Sequence, residues 1–244
     1  AVSAAELPEM ARATGDAEAI AAALRARLKS GLRRVVVLVV PSAVAFVALG
    51  DVIIGLVFQT GRFGGSDTTA VWIMLAGSAI GLSAGTQGRL LASAFYALGD
   101  TRTPLRAALV RVAITFVAGY AFALPLRAHF GYAPVWGAFG LTASAGVAAW
   151  IEFALLRRWL AQRIGSVPVP GLLGLGALSA AVVAGGLTWL VVGAVEPHGV
   201  IAAAALALPL YGALYLWPMI AFRVPEVTAL TGRVTARLGR RRGA

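Results

Sequence analysis

The stretch VVVLVVPSAVAFVALGDVIIGLVF, residues 35 to 58, decides the fold. It carries a single charge, Asp51, in 24 residues. As a helix it covers about 36 Å at 1.5 Å per residue, enough to cross ~30 Å of hydrocarbon. Five further apolar runs follow, at 68–98, 103–126, 132–156, 172–195 and 200–222. Each is too long and too rich in Ala, Gly and Leu for a membrane strand. Backbone in lipid must be satisfied within the chain, so runs of this kind fold as helices. The expected fold class is therefore all-α, a polytopic membrane helix bundle with six transmembrane helices.

Composition agrees. Of 244 residues 59% are hydrophobic and 13% charged, whereas a soluble domain has about a quarter charged. There is no cysteine, which excludes disulfides and thiolate metal sites. Two histidines, His129 and His198, give no multi-His metal site, and no cofactor motif is present. The chain begins at Ala1 without a signal-peptide pattern, which reads as a piece of a longer protein.

The formal charge is +11. A basic total can mark a nucleic-acid binder, but the arrangement here is a topology signal. Seventeen of the 21 basic residues flank the runs on one side, and Arg62 and Arg127 alone lie on the other. The remaining two, Arg89 and Arg111, fall inside runs. The positive-inside rule puts both termini in the cytoplasm, and nucleic acid is not an expected partner. The chain divides into a cytoplasmic amphipathic surface helix at 1–34, four spans at 35–158, two more at 159–222 and a basic cytoplasmic tail at 223–244. The surface helix is read over 7–32, with a break at Thr14-Gly15-Asp16, and a shorter one over 224–238.

The polar stretch FYALGDTRTPLR, residues 95–106, interrupts the second and third runs. Gly99 supplies a left-handed stop. Thr103 is placed to cap the next helix, Pro104 suits its first turn, and Asp100 sits near its positive dipole end. A tight cytoplasmic turn accounts for these residues. No nucleophile–base pair, carboxylate dyad or phosphate-cradling loop is present, so no catalytic residue is assigned.

Charges within runs cost at least about 2.5–3.5 kcal/mol each on insertion scales and need a partner or water. Arg89 ends a four-residue stripe, Gly77, Gly81 and Gly85, and Glu152 ends another, Gly140, Ser144 and Ala148. Small stripes let helices approach. Thr86, Gln87 and Ser93 add polar atoms around Arg89, which reads as a face on a hydrated cavity with a substrate or gating role. Arg111 lies two turns into the third run, where it and Glu152 can also snorkel to the cytoplasm. Asp51 is interfacial. Arg89 and Glu152 are expected to face one cavity and to pair in one of its access states. Trp150, Trp159, Tyr132 and Trp136 flank the fourth run as interface anchors.

Three strings carry a resemblance. SAFYALGDTRTPLR (93–106), PSAVAFVALGDVIIGLVFQTGRFGGSDT (41–68) and ELPEMARATGD (6–16) resemble signatures of the MurJ (MviN) family of lipid II flippases, in the MATE-like MOP transporter superfamily. They cover about the first 125 residues. The resemblance implies a fourteen-helix transporter whose last six helices are these, a MATE/MOP-like C-terminal lobe in the bacterial inner membrane. It implies alternating access for an undecaprenyl-type lipid-linked precursor, with membrane lipids and upstream N-terminal helices of the same protein as partners. The family's essential pyrophosphate-facing arginines belong to those upstream helices. Its last two helices are associated with a groove for the lipid tail. The sodium site of some members uses Asp or Asn in the helix matching the third run, which has neither here. Three rivals stand beside this reading: an exporter of another lipid-linked saccharide or drug in the same superfamily, a truncated non-transporting membrane piece, and a membrane enzyme. The last needs clustered Asp, Glu or His, and the sequence scatters them.

Overall fold

The computed structural model of the protein describes residues 17–195 and 199–228. The described elements are eight helices: α1 (Ala17–Ala48), α2 (Gly50–Phe58), α3 (Gly65–Ala97), α4 (Arg102–Ala123), α5 (Pro125–Phe130), α6 (Pro134–Ile164), α7 (Gly171–Val195) and α8 (Val200–Ala221). Six of the described helical stretches are long and apolar enough to cross a membrane. Five of them match the second to sixth apolar runs and the first, Glu18–Ala48, overlaps the first run over 35–48, so the all-α membrane bundle is the observed fold. Large apolar side chains point outward, among them Phe116, Leu172 and Trp217, as a lipid-facing surface demands.

α1 belongs to two cores. Its N-terminal half packs Leu24, Leu28 and Leu32 against Leu90, Leu91 and Phe95 of α3 and Leu156 and Leu160 of α6. Its C-terminal half joins α2, α7 and α8 through Val37, Ala181, Ala184, Ala207 and Tyr211. The molecule is thus a four-helix bundle of α1, α3, α4 and α6 with an α7–α8 pair attached along α1.

Two expectations change here. The described part of the 1–34 surface helix, from residue 17, continues unbroken into the first span as α1. Its four-residue leucine stripe buries against α3 and α6 rather than a membrane surface. The reason is length: α1, α3 and α6 have 32, 33 and 31 residues. Each is about 46–50 Å long and overshoots the hydrocarbon. The overshooting ends bury the leucine face among three helices, about 1.5–3 kcal/mol per buried leucine. α6 likewise runs to Ile164, across the boundary drawn at 158. The break at 14–16 and the tail helix beyond 228 lie outside the described residues.

The first span is also two helices, interrupted at Leu49. Trp72 of α3 donates its indole N–H to the Val47 carbonyl beside the break, at 3.1 Å. Nearer the N-terminus, Pro41 lies inside α1. Proline lacks the amide that would bond the carbonyl four residues back, which is that of Val37. Tyr215 of α8 donates its hydroxyl to that same Val37 carbonyl at 2.7 Å, and Tyr211 donates to the Pro41 carbonyl at 2.7 Å. The tyrosines thereby supply donors at the proline interruption. Tyr215→Phe is expected to lower stability by about 1–3 kcal/mol, the cost of an orphaned buried acceptor. Pro41→Ala added to it should recover most of that loss, because residue 41 then has an amide. Unfolding in mixed micelles measures the cycle, and two strictly additive effects would contradict the assignment.

A second tie closes the same pair of elements. Arg33 of α1 forks onto Glu226, beyond α8, with the second N–H···O contact at 3.2 Å. The Arg33 hydrogen bond holds the Glu226 carboxyl below its usual range.

Candidate functional site

α3 and α6 cross at glycines. A Cβ on Gly81 would lie 2.4 Å from the Gly146 Cα, and one on Gly146 would lie 2.8 Å from the Gly81 nitrogen. The backbones touch here with no room for a side chain. Gly77 meets Thr142 and the Phe139 carbonyl in the same way. Trp150 of α6 reaches across to donate its indole N–H to the Ile80 carbonyl at 2.9 Å. It ties two helices together and is more than an interface anchor. One turn on, Gly85 has nothing within 4 Å and lines an opening.

That opening is a cavity of about 430 Å³ between α3, α4 and α6. α4 leans on α6 and scarcely touches α3, which leaves the gap. Thr86 and Arg89 line it from α3, Arg111 and Thr115 from α4, and Ala145 and Ala149 from α6. Arg111 and Thr115 also line a larger groove of about 750 Å³ along α4 and α6, walled by Val112, Phe116, Tyr120 and Leu141 and holding Glu152.

Glu152 accepts a hydrogen bond from Arg111 at 3.0 Å. The structure therefore pairs Glu152 with Arg111, where the sequence stripes pointed to Arg89. Arg89 instead shares the cavity wall with Arg111, and its guanidinium has no protein partner among the described residues. The arrangement leaves one net positive charge facing a space lined otherwise by hydroxyl and apolar side chains. An unpaired guanidinium there favours an anionic group, with which it makes charge-assisted hydrogen bonds.

Two polar neighbours of Arg89 turn elsewhere. Gln87 is buried and donates from its amide to the Ser83 hydroxyl at 2.9 Å. Ser93 is buried and donates to the Leu90 carbonyl. Gln87, two positions from Arg89, projects to another side of α3, whereas Ser93, one turn beyond Arg89 on its face, is covered by the packing at that level of the bundle. Thr86 lines the cavity while donating to the Leu82 carbonyl at 2.8 Å. Thr115, one turn beyond Arg111, borders both spaces. The sequence places it on the face of Arg111 at helical spacing, but a lone threonine in an apolar run does not by itself mark a site residue. Asp51 lies exposed in the first turn of α2, away from the cavity.

The α3–α4 turn is a separate structure. Gly99 stands at φ 75°, and the Asp100 amide donates back to the Phe95 carbonyl at 2.9 Å, the bond that closes a helix end with a left-handed residue. Asp100, rather than Thr103, is the capping side chain. Its carboxylate accepts from the Arg102 and Thr103 amides at 2.9 and 3.0 Å and from the Thr103 hydroxyl at 2.6 Å. Asp100 wins because its carboxylate reaches forward two and three residues, whereas Thr103 already lies inside α4. Pro104 is buried in the first turn. Arg163 from the end of α6 completes the turn, 2.7 Å from Asp100.

These bonds, the Thr103 hydroxyl first, hold the Asp100 carboxyl below its usual 3.8. A lowered folded value stabilises the fold fully above the unfolded value and is lost as pH falls through the folded one. The unfolding midpoint should therefore drop in acid below about pH 4. Asp100→Asn should drop less over that range, and superimposable acid profiles would contradict the assignment.

Known proteins share both the sequence pattern and the bundle. The family model described as "Lipid II flippase MurJ" matches residues 1–209. A lipid II flippase MurJ of Burkholderia cenocepacia is 33% identical over 227 residues, covering 87% of this chain and 41% of the relative. A probable lipid II flippase MurJ of Rhizobium tropici is 35% identical over 108 residues, 44% of this chain and 20% of that protein. A solved structure of a lipid II flippase MurJ in an inward closed conformation superposes with a TM-score of 0.61 at 17% identity, over 91% of this chain and 43% of that one. That likeness speaks to the fold. The chain spans less than half the length of these relatives. With a family model matching most of its length, and with the bundle and its spans in agreement, this chain belongs to the lipid II flippase MurJ family.

Proposed function

We propose that this chain forms the C-terminal helical part of a transporter that moves a lipid-linked peptidoglycan precursor, lipid II, across the cytoplasmic membrane. Arg89 carries the reading. It is an unpaired guanidinium on the wall of a cavity between α3, α4 and α6, placed to attract the diphosphate of a lipid-linked headgroup. Arg111, held by Glu152, sets the cavity's second wall. The undecaprenyl-type tail stays in lipid, along apolar surfaces such as the α4–α6 groove. Alternating access moves one helix bundle against another around such a site, and the cycle makes and breaks no covalent bond. The other bundle is supplied by upstream helices of the same protein, in keeping with relatives more than twice as long.

Both termini and the Asp100 turn are cytoplasmic in this reading, supported by the distribution of loop arginines. Single cysteines placed at Arg62 and Thr101 report it: a membrane-impermeant thiol reagent should label position 62 in intact cells and position 101 only after permeabilisation. The reverse pattern would overturn the orientation. The function itself is tested by complementation. The gene encoding this chain, expressed whole, should restore growth when the host flippase is depleted, and Arg89→Ala in it should not. Rescue undiminished by Arg89→Ala would remove the basis of the reading.

A further inference from the structure

The hollow at the α3–α4 turn differs from the membrane-embedded cavities. It has a volume of about 390 Å³, and its walls are almost entirely polar, with three arginines, Arg102, Arg106 and Arg163, around one carboxylate, Asp100. The positive-inside rule accounts for arginines on this face of the membrane. It does not account for three of them, from two separate helices, converging on one hollow.

Their states differ. Arg163 is fixed, 2.7 Å from Asp100 and with its guanidinium carbon 5.7 Å from the centre of the Phe95 ring. Asp100 is spoken for on every side, by Thr103, two backbone amides and Arg163, so it offers little to a cation. Arg102 and Arg106 stand one turn apart on α4, exposed, and their guanidiniums have no protein partner among the described residues. Three guanidiniums against one carboxylate leave a net charge of about +2 in the hollow, an environment for a multivalent oxyanion.

The surroundings say which oxyanion. The candidate spans Gly65–Ala97 and Arg102–Phe130 end on either side of this turn, so in a bilayer crossed by both spans the hollow lies at the headgroup level. Leu109 follows Arg102 and Arg106 at helical spacing on the same face of α4, and both it and Leu105 are 59% exposed. A phosphate above and an apolar strip below match one molecule with a phosphate diester and an acyl chain. We propose that Arg102, Arg106 and Arg163 form a binding site for the phosphate of an anionic phospholipid, with its acyl chain laid along Leu105 and Leu109. Basic pockets between transmembrane helices are a recurring form of such sites. The site is distinct from the Arg89 cavity and does not depend on the transport reading. Its occupant would tie the ends of α3, α4 and α6 together from the lipid side.

The test is native mass spectrometry of the whole purified protein in detergent, titrated with phosphatidylglycerol. The wild type should retain one tightly held lipid. Arg102→Ala with Arg106→Ala should weaken that first binding step about 30-fold, at about fivefold per arginine near a headgroup. Arg157→Ala with Arg158→Ala, the same charge change on the same face outside the hollow, should change it by no more than about twofold. Should the double variant fail to fold, Arg106→Gln alone should still lose about fivefold. Equal losses from the two double variants, or no loss from the first, would overturn the site. Inorganic phosphate titrated alone should bind far more weakly. If it displaces the lipid at comparable concentration, the hollow binds free phosphate and the lipid assignment is wrong.

Discussion

Gly81→Val is expected to leave almost no folded protein in the membrane. A Cβ at that position would stand 2.4 Å from the Gly146 Cα and 3.1 Å from the Gly146 carbonyl oxygen. Those are backbone atoms of α6 and no rotamer change moves them. Ordinary overpacking costs about 1–3 kcal/mol, and here the relief would require two helices to separate along their crossing. Such a separation also breaks the Trp150 tie to the Ile80 carbonyl and opens the cavity that Arg89 lines. Gly85→Ala is the matched control. It lies one turn further along the same stripe and meets nothing within 4 Å, so it should be neutral or stabilising by about 0.5–1 kcal/mol, the helix preference of alanine over glycine. Detergent size-exclusion profiles and thermal midpoints give both answers. Equal folded yields for the two variants would show that the crossing is looser than described.

The second large effect concerns the three intramembrane charges. Arg89→Ala should leave folding intact, since its guanidinium holds no protein partner among the described residues, yet lower transport by about 30-fold or more, the scale of a lost contact to a desolvated opposite charge. Glu152→Ala should damage both folding and transport, because it strands Arg111 without its carboxylate in an apolar setting. The exchange of Arg111→Glu with Glu152→Arg should then recover part of the folded yield lost by either single reversal. An Arg89→Glu and Glu152→Arg exchange should recover less, since those two residues do not pair. A better rescue by the Arg89 exchange would mean that Glu152 switches partner between access states, and that the arrangement described is one of two.

Much of this architecture is legible in the residues. Five apolar runs became spans with ends shifted by eight residues or fewer, because run length against a fixed hydrocarbon thickness leaves little choice, while the first became the span Glu18–Ala48 and a short second helix. Gly99 and Asp100 could be read as a turn because left-handed stops and caps are local chemistry. What escaped were contacts between segments far apart in sequence. The stripe in 17–32 showed which face of the helix is apolar but not what covers it, and a leucine face suits a bilayer surface or a neighbouring helix equally. The stripes ending in Arg89 and Glu152 located two close-packing faces. Which arginine meets Glu152 depends on the rotation of α4, and α4, with its apolar residues all round, carries no periodicity that sets it. Tyr215 was invisible for the same reason: its role depends on standing beside the carbonyl that Pro41, at the other end of the chain, leaves free.

The most direct test of the central claim is transbilayer movement in vesicles. The whole protein, purified and reconstituted, should carry fluorescent lipid II from one leaflet to the other, read as the fraction that becomes accessible to a membrane-impermeant quencher. Arg89→Ala should fall to the rate of protein-free vesicles, and Arg157→Ala, an exposed arginine outside the cavity, should retain the wild-type rate. Equal rates for all three proteins, or none above protein-free vesicles, would contradict the assignment of the α3–α4–α6 cavity to substrate translocation.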